Sequence, residues 1–575
     1  MRKKIPLILA IGLLVVGFNA NASESLDLAR QFEQAGVPDL ALARVERDQP
    51  KQDDSEWVQW EALRLSLLYE VKRPKELIQR VQSMPADLPQ DLLQKAYGHA
   101  AWAYLQLGDG IQAKSTLARL LWQFDLSPKE QMTARRMLID ADVKAGQIND
   151  AYLAMLRYQQ DYQPLDQATT AAFVEDLLNA GKTAEAATWI ASLDPDTPLS
   201  LLGRLKAGVV APQDAITQAQ DKLQKGGSPD YWAVLFDAAG MAKNSELFLG
   251  AQEQLLNGKT LAKGLFGVQP DVLWKNYVAG GEAAGNHYQL LLGDDTSWLV
   301  QAAQIAGDSP SLSRSIYAFV LVKGSNPDSR TIAATHLMDS LLGNNLGLVA
   351  LRLYQAVPEL SHSPGITLPI QTELGKVAAD NGDYKTAASL WHSMTVPPDD
   401  MNNEEWQIQR AEVFAKASMP EEAVETLTQQ VISQPEISTD DITHMTDIGR
   451  EMLKNGQTKS AELLFDRIMP LMEPADRSAI LWNLASAAES RHEPLVAADY
   501  DMRVALLGDA DPKSGEGIKG RLAAAANLDH AGLHRDAAAL NKVVQAMKTP
   551  PAKAKSTKSK TAKPKETKQG KKKAR

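Results

Sequence analysis

The residues that could support nucleotide binding or hydrolysis stand in incomplete motifs. A Gly-Lys-Thr triplet, as found in phosphate-binding loops, begins at Gly181 and again at Gly258. Such a loop needs another glycine five residues earlier, and Asp176 and Glu253 occupy those positions. The sequence also contains no Gly-x-Ser-x-Gly and no His-Glu-x-x-His. We therefore expect no enzyme activity of these kinds and no cofactor.

Two other groups of residues could support chemistry. His530 and His534 have the spacing of two metal ligands on one helix, but Gly532 between them indicates a turn, so we expect no metal site. Glu489-Ser490 resembles the catalytic pair of soluble lytic transglycosylases, which cut peptidoglycan and carry a helical solenoid before a lysozyme-like domain. Only 86 residues follow Glu489, which is too short for such a domain. The resemblance then implies a non-catalytic relative of their solenoid.

Composition favours helices and excludes sulfur chemistry. The chain has 575 residues and no cysteine, which excludes disulfides, thiolate metal sites and a cysteine nucleophile. Aromatic residues make up only 6%. Ala, Leu, Gln, Asp and Glu are abundant, and runs of β-branched residues are few. The sequence therefore predicts an all-α fold.

The N-terminus has the pattern of a secretory signal. Basic residues at positions 2–4 precede an apolar stretch from Ile5 to Phe18, and Ala20-Asn-Ala22 follows with the small residues that signal peptidase prefers. The stretch is short for a bilayer span of about 20 residues. We expect a signal peptide over 1–22, cleavage after Ala22, and a mature chain that is exported to the periplasm without a transmembrane segment.

A turn residue recurs every 35 to 40 residues in two series. The glycines of these series are Gly36, Gly108, Gly146, Gly181, Gly307, Gly382, Gly456 and Gly532, and Lys72, Asn345, Ser418 and His492 stand at the same place in other units. An alanine follows five residues later in most units, as Ala41, Ala113, Ala151, Ala186, Ala387, Ala423, Ala461 and Ala537. Apolar residues follow at nine and usually twelve positions after the turn.

Each position of this pattern has a physical reason in a pair of helices. Glycine adopts the left-handed conformation that ends the first helix at low cost. Alanine at the start of the second helix lets the two backbones approach closely. The later apolar residues, three apart, share one face of that second helix. Neither helix can bury its apolar face alone, so the pairs must stack.

The segments Asn381–Ala387 and Ala145–Ala151 resemble the turn between the two helices of tetratricopeptide repeats (TPR). The resemblance extends over about residues 26–198 and 301–547. It implies an all-α, TPR-like α-α superhelix, or solenoid, whose concave face binds peptides or protein segments. It implies no catalysis.

The regularity of the pattern defines the expected domain organisation. We predict a signal peptide (1–22), N-terminal TPR-like repeats (23–200), an irregular helical segment (201–300), C-terminal TPR-like repeats (301–547) and a Lys-rich tail (548–575). The irregular segment contains a run rich in aromatic residues. It is interpreted as a helical pair with an aromatic core, as a contact region that presents Tyr288, Asp294 and Asp295, or as a small inserted domain.

The charge is divided between an acidic body and a basic tail. Residues 23–547 carry a formal net charge of −24, whereas residues 548–575 hold eleven Lys, one Arg and one Glu. No apolar residue larger than Ala follows Pro550 in the tail, which therefore predicts disorder. The tail is interpreted as a solvated extension, as an attachment to an anionic polymer or surface, or as a segment that folds back onto the acidic body. We expect no nucleic-acid partner for an exported chain.

These observations favour a periplasmic scaffold or adaptor that mediates protein–protein interaction in the bacterial cell envelope. Two alternatives stay open. One is an enzyme, or the remnant of one, that acts on envelope glycans through Glu489. The other is a carrier of glycans or small ligands that uses the aromatic-rich middle segment.

Overall fold

The computed structural model describes residues 25–85, 87–285, 293–398, 401–434, 437–509 and 515–548. Nearly all of these residues outside the connecting turns are helical, and none of them lies in a β-strand. The predicted all-α fold is therefore confirmed, whereas the predicted signal peptide and almost all of the predicted disordered tail lie outside the described residues. No helix in the described ranges is long and apolar enough to cross a membrane.

The helices divide between two compact units, with the division between Arg330 and Thr331. The helices before it are α1 (25–34), α2 (Pro38–Asp48), α3 (Trp57–Glu70), α4 (Pro74–Gln82), α5 (Gln90–Gln106), α6 (Gly110–Gln123), α7 (Pro128–Lys144), α8 (Ile148–Tyr162), α9 (Gln167–Asn179), α10 (Thr183–Ile190), α11 (Pro198–Lys206), α12 (Pro212–Gln224), α13 (Tyr231–Met241), α14 (Ser245–Leu256), α15 (Pro270–Ala284), α16 (Asp295–Ile305) and α17 (Pro310–Lys323).

Helix α18 (Pro327–Gly343) contains the division. The helices after it are α19 (Gly347–Ala356), α20 (Pro358–Ser361), α21 (Leu368–Asp380), α22 (Tyr384–Trp391), α23 (Asn403–Lys416), α24 (Pro420–Leu427), α25 (Thr439–Lys454), α26 (Thr458–Ile468), α27 (Pro474–Ser490), α28 (Pro494–Gly508), α29 (Glu516–His530) and α30 (His534–Lys548). A π-helical turn (Thr428–Ile432) extends α24, and 3₁₀ turns occupy Gly264–Phe266 and Met469–Leu471.

The repeating element in both units is a pair of helices joined by a short turn. We call the first helix of a pair helix A and the second helix B. Helix A packs against its own helix B, as α5 does on α6 and α23 does on α24, and neighbouring A helices also touch, as α5 and α7 or α23 and α25 do. Each unit is thus a stack of helix pairs, and the prediction of a TPR-like α-solenoid is confirmed.

The turn between the helices follows one geometry, which Gly382 illustrates. Its N–H donates to the carbonyl of Ala379, and the N–H of Asp383 donates to the carbonyl of Ala378, which is the Schellman arrangement that satisfies the last carbonyls of a helix. Asp383 then begins the next helix, because its carboxylate accepts a hydrogen bond from the N–H of Thr386 (3.2 Å). One residue thus ends helix A, and the next one begins helix B.

The turn glycines and the alanines named above have matching positions throughout both units. The seven glycines have φ values between 71° and 81°, and they are Gly36, Gly108, Gly146, Gly181, Gly382, Gly456 and Gly532. The alanines lie in the first turn of helix B with at most 4% of their surface exposed, and they are Ala41, Ala113, Ala151, Ala186, Ala387, Ala423, Ala461 and Ala537. Gly307 also lies in a turn, but outside the left-handed region.

Five residues other than glycine adopt the left-handed conformation at equivalent turns, and they are Lys72, Lys243, Asn345, Ser418 and His492. Lys243 joins α13 to α14, and Gly208 (φ 72°) joins α11 to α12. Helix pairs therefore continue through residues 198–256. The series read from the sequence stops at Gly181 because Gly208 follows only 27 residues later and because lysine gives no turn signal at position 243.

A buried ion pair connects three helices at the end of the first unit. Arg314 on α17 and Glu253 on α14 each expose 2% of their side chains, and the guanidinium donates to both carboxylate oxygens. The hydroxyl of Tyr277 on α15 donates to the same carboxylate (2.6 Å), as does that of Ser311 (3.1 Å). Because both charges are desolvated, their mutual pairing fixes how these three helices pack.

We expect opposite effects from two glycine substitutions in one repeat. Gly108→Ala should lower stability by about 1 kcal/mol, because an L residue is strained at φ 78°. Gly98→Ala, inside helix α5, should raise stability by about 0.5–1 kcal/mol, because its added methyl group meets no atom within 4 Å and the unfolded chain loses freedom. The urea midpoint of helix unfolding, followed by circular dichroism, measures both shifts. Two shifts of the same sign would contradict the assigned turn geometry.

Candidate functional site

The most prominent cavity of the second unit is a groove between two neighbouring A helices, α23 and α25. It encloses about 1130 Å³. We call it the acidic groove, because seven carboxylates line it against three cationic side chains and one histidine. The carboxylates are Glu404, Glu405, Glu412, Asp440, Asp441, Asp447 and Glu451, and the other four are Lys416, Arg450, Lys454 and His444.

Local sequence places two carboxylate pairs at one end of the groove. Helix α23 begins after Asn402, whose side chain accepts from the N–H of Glu405, and helix α25 begins after Ser438, whose hydroxyl accepts from the N–H of Asp441. Acidic residues are favoured in the first turn of a helix by the partial positive charge there. The pairs 404–405 and 440–441 are 36 residues apart, one repeat length, so stacking brings them to adjacent helix ends.

The cations of the groove are occupied by partners on their own helices. Lys416 pairs with Glu412 at 2.7 Å, and its ammonium also lies 5.1 Å from the centre of the Tyr384 ring. The other two cations pair in the same way, as Arg450 with Asp447 at 3.0 Å and Lys454 with Glu451 at 3.3 Å.

Four carboxylates of the groove are left without a cation. Among the described residues no lysine, arginine or histidine lies within 4 Å of the carboxylates of Glu404, Glu405, Asp440 and Asp441. Asp441 accepts a hydrogen bond from the Ser438 hydroxyl at 2.7 Å. The groove therefore presents net negative charge that the described part of the chain does not neutralise.

The floor of the groove is apolar. Ile408 on α23 and Ile448 on α25 line it, and both are mostly buried, with 6% and 5% of their surface exposed. Ala415 lies further along α23 and leaves room between the helices. A segment that carries positive charge at its edges and small apolar groups at its centre matches both features.

The three residues proposed as contacts in the middle segment have different positions. Tyr288 lies outside the described residues. The carboxylate of Asp294 caps α16 by accepting from the N–H and hydroxyl of Ser297. Asp295 is 1% exposed and accepts from the N–H of Asn326 (2.7 Å) and the hydroxyl of Ser325 (3.2 Å). Both aspartates are thus used within the chain, and the predicted contact role stays a prediction.

Two large aromatic residues of the same segment are part of the core. Tyr277 is fully buried, and Trp298 is 1% exposed and packs against Phe319 with ring centres 5.0 Å apart. These rings offer no exposed face on which a sugar could stack.

The incomplete motifs occupy ordinary structural positions. Gly181 is a repeat turn, and Gly258 follows α14. Glu253 belongs to the buried ion pair. His530 and His534 lie on opposite sides of the turn at Gly532, and His534 Nδ1 is 2.6 Å from a carboxylate oxygen of Asp529.

Glu489 forms part of a polar cluster that the sequence did not reveal. The side-chain amide of Asn527 donates to Glu489 (2.8 Å) and to Asp501 (2.9 Å), which joins α27, α28 and α29. Asp501 is 1% exposed, and its second carboxylate oxygen has no hydrogen-bond donor among the described residues. Burial raises the pKa of Asp501 to about 6, and the nearby Glu489 carboxylate raises it as well, while the hydrogen bond from Asn527 acts in the opposite direction.

Comparison with known proteins gives few matches. No protein-family model matches the chain, and no curated protein does. Among solved structures, the Cut9–Hcn1 hetero-tetramer of the APC/C is similar at 12% identity over 90% of this chain and 95% of that one (TM-score 0.30). The maize pentatricopeptide repeat protein PPR10 is similar at 13% identity over 91% and 84% (TM-score 0.27), and Naa15/Naa10 bound to HypK-THB at 11% over 92% and 94% (TM-score 0.22). At such scores these likenesses carry no functional argument, and the assignment to the α-helical repeat class depends on the helix pairs themselves.

We expect Asp501→Asn to change how stability depends on pH. The folded chain holds a proton on Asp501 up to about pH 6, whereas an unfolded aspartate releases it near pH 4. The stability that this proton contributes is therefore complete below about pH 4 and is lost as pH rises through about 6. Asparagine resembles the protonated form, so the variant should be more stable than the parent by about 1–3 kcal/mol at pH 7.5 and similar to it at pH 4.

Thermal unfolding between pH 4 and pH 8 measures this difference. Asp499→Asn serves as the control, because Asp499 is exposed on the same helix. Parallel pH profiles for the parent and Asp501→Asn would contradict the burial of an ionisable Asp501.

Proposed function

We propose that this chain is a helical-repeat scaffold whose acidic groove binds a basic segment of a partner protein. The observation that carries the proposal is the set of four carboxylates, Glu404, Glu405, Asp440 and Asp441, that have no cation partner among the described residues. They line a groove with an apolar floor between two consecutive A helices.

The chemistry of the groove favours a lysine- or arginine-rich ligand in an extended or helical segment. Each exposed ion pair contributes only about 0.2–1 kcal/mol, so several must act together, as a row of carboxylates along two helices allows. Complementary charge also accelerates association and disfavours acidic competitors. Contact of small apolar side chains with Ile408 and Ile448 would supplement this attraction.

We further propose that the scaffold acts in the periplasm and that its partner belongs to the bacterial cell envelope. The pattern of residues 1–22, with basic, apolar and small residues in the order of a secretory signal, supports export. Attachment of the tail to an anionic surface stays a prediction.

The test is the affinity of a chain that ends at Lys548 for a fluorescent peptide of alternating Lys and Ala. The triple substitution Glu404→Gln, Glu405→Gln and Asp440→Asn should weaken binding about tenfold, because three exposed ion pairs of about 0.5 kcal/mol each are lost. The helix caps Asn402 and Ser438 are left intact. Fluorescence anisotropy at low ionic strength gives the dissociation constants, and added salt should weaken binding to the parent.

The matched control is Glu421→Gln, Glu422→Gln and Asp536→Asn. These residues lie in the first turns of the B helices α24 and α30, outside the acidic groove, and their neutralisation changes the net charge equally. Equal weakening by both triple variants would indicate attraction to the acidic body in general and would contradict the groove. Absence of binding by the parent would contradict the proposed function itself.

A further inference from the structure

We propose that residues 549–575 of this same chain bind the acidic groove and compete there with an external basic segment. This inference rests on the proposed function, since it gives the groove an intramolecular ligand. It makes the scaffold self-inhibited, so that a partner must displace the chain's own basic segment.

Charge complementarity between groove and segment is the first argument. Residues 549–575 hold ten Lys, one Arg and one Glu. The groove has seven carboxylates, and all three of its cations pair with a carboxylate on their own helix. The remaining carboxylates at the ends of α23 and α25 therefore face a segment of the opposite sign that is covalently attached to the same unit.

The second argument is the size of the side chains on the segment. Between its lysines stand mostly Ala, Thr, Ser and Pro, as in Pro550-Pro-Ala-Lys-Ala-Lys555, and no bulky apolar residue. Such a chain can lay small groups over the floor formed by Ile408 and Ile448 while its ammonium groups reach the carboxylates on either side.

The third argument is reach within the second unit. The described chain ends at Lys548 on α30, and two helix pairs, α27–α28 and α29–α30, separate the groove from that end. Neighbouring helices lie about 10 Å apart, so the path from Lys548 to the groove is roughly 40 Å, including the passage from the B helices to the A helices. Twenty-seven residues span up to about 90 Å when extended, so the segment reaches the groove with many residues left to bind.

Attachment gives the segment a large advantage over a free ligand. A tethered segment has an effective concentration in the millimolar range, whereas a free partner peptide must compete at its own concentration. The full chain should therefore bind an external basic peptide more weakly than the same chain without the segment.

The test compares two chains, the full mature chain and the chain that ends at Lys548. Each is measured with and without the groove substitutions Glu404→Gln, Glu405→Gln and Asp440→Asn. The probe is the fluorescent alternating Lys-Ala peptide at low ionic strength. We expect the full chain to bind it at least about tenfold more weakly than the shortened chain, and this difference to disappear when the groove is neutralised.

Each other result has a distinct meaning. Equal affinity of the full and shortened chains would overturn self-inhibition while the proposed function stands. A difference that persists in the groove variants would place the segment elsewhere on the acidic body and would also overturn the inference. If the shortened chain does not bind the peptide, the proposed function fails, and the inference that rests on it fails with it.

Discussion

The whole structure depends on close contact between the two helices of each pair. Alanines at the start of helix B are almost fully buried, and glycines at some positions of helix A let aromatic rings of helix B lie against the backbone. A Cβ atom added at Gly375 would overlap the indole nitrogen of Trp391, and one added at Gly449 would lie 2.5 Å from the ring of Phe465. Both glycines precede their turn by seven residues, and both aromatic residues follow it by nine.

This contact explains how the stack produces a binding surface. Helix B covers one face of helix A, and the neighbouring pairs cover its flanks, so a further face of each A helix is left for a ligand. Helices α23 and α25 carry their carboxylates on that face, together with the caps that fix where each helix begins. The acidic groove is therefore a direct product of the repeat, because one repeat length separates its two acidic pairs.

The turns were the most predictable part of the fold, and the reason is conformational. Glycine at a left-handed turn leaves a periodic trace in the sequence, which Gly108 or Gly456 shows clearly. Lys243 occupies the same conformation without such a trace, and Gly208 breaks the period, so the helix pairs between 198 and 256 could not be predicted. The acidic pairs of the groove were visible in the sequence, but which carboxylates have a cation partner depends on side-chain geometry. Likewise, the burial of Asp501 depends on three helices that are distant in sequence from one another.

The central claim is that a basic segment binds between α23 and α25. Hydrogen–deuterium exchange of the chain that ends at Lys548, with and without the Lys-Ala peptide, tests it most directly. The account predicts slower exchange in residues 403–416 and 439–454, which line the groove, and unchanged exchange in the neighbouring B helix 458–468. Protection confined to other helices, with none in the two A helices, would contradict it.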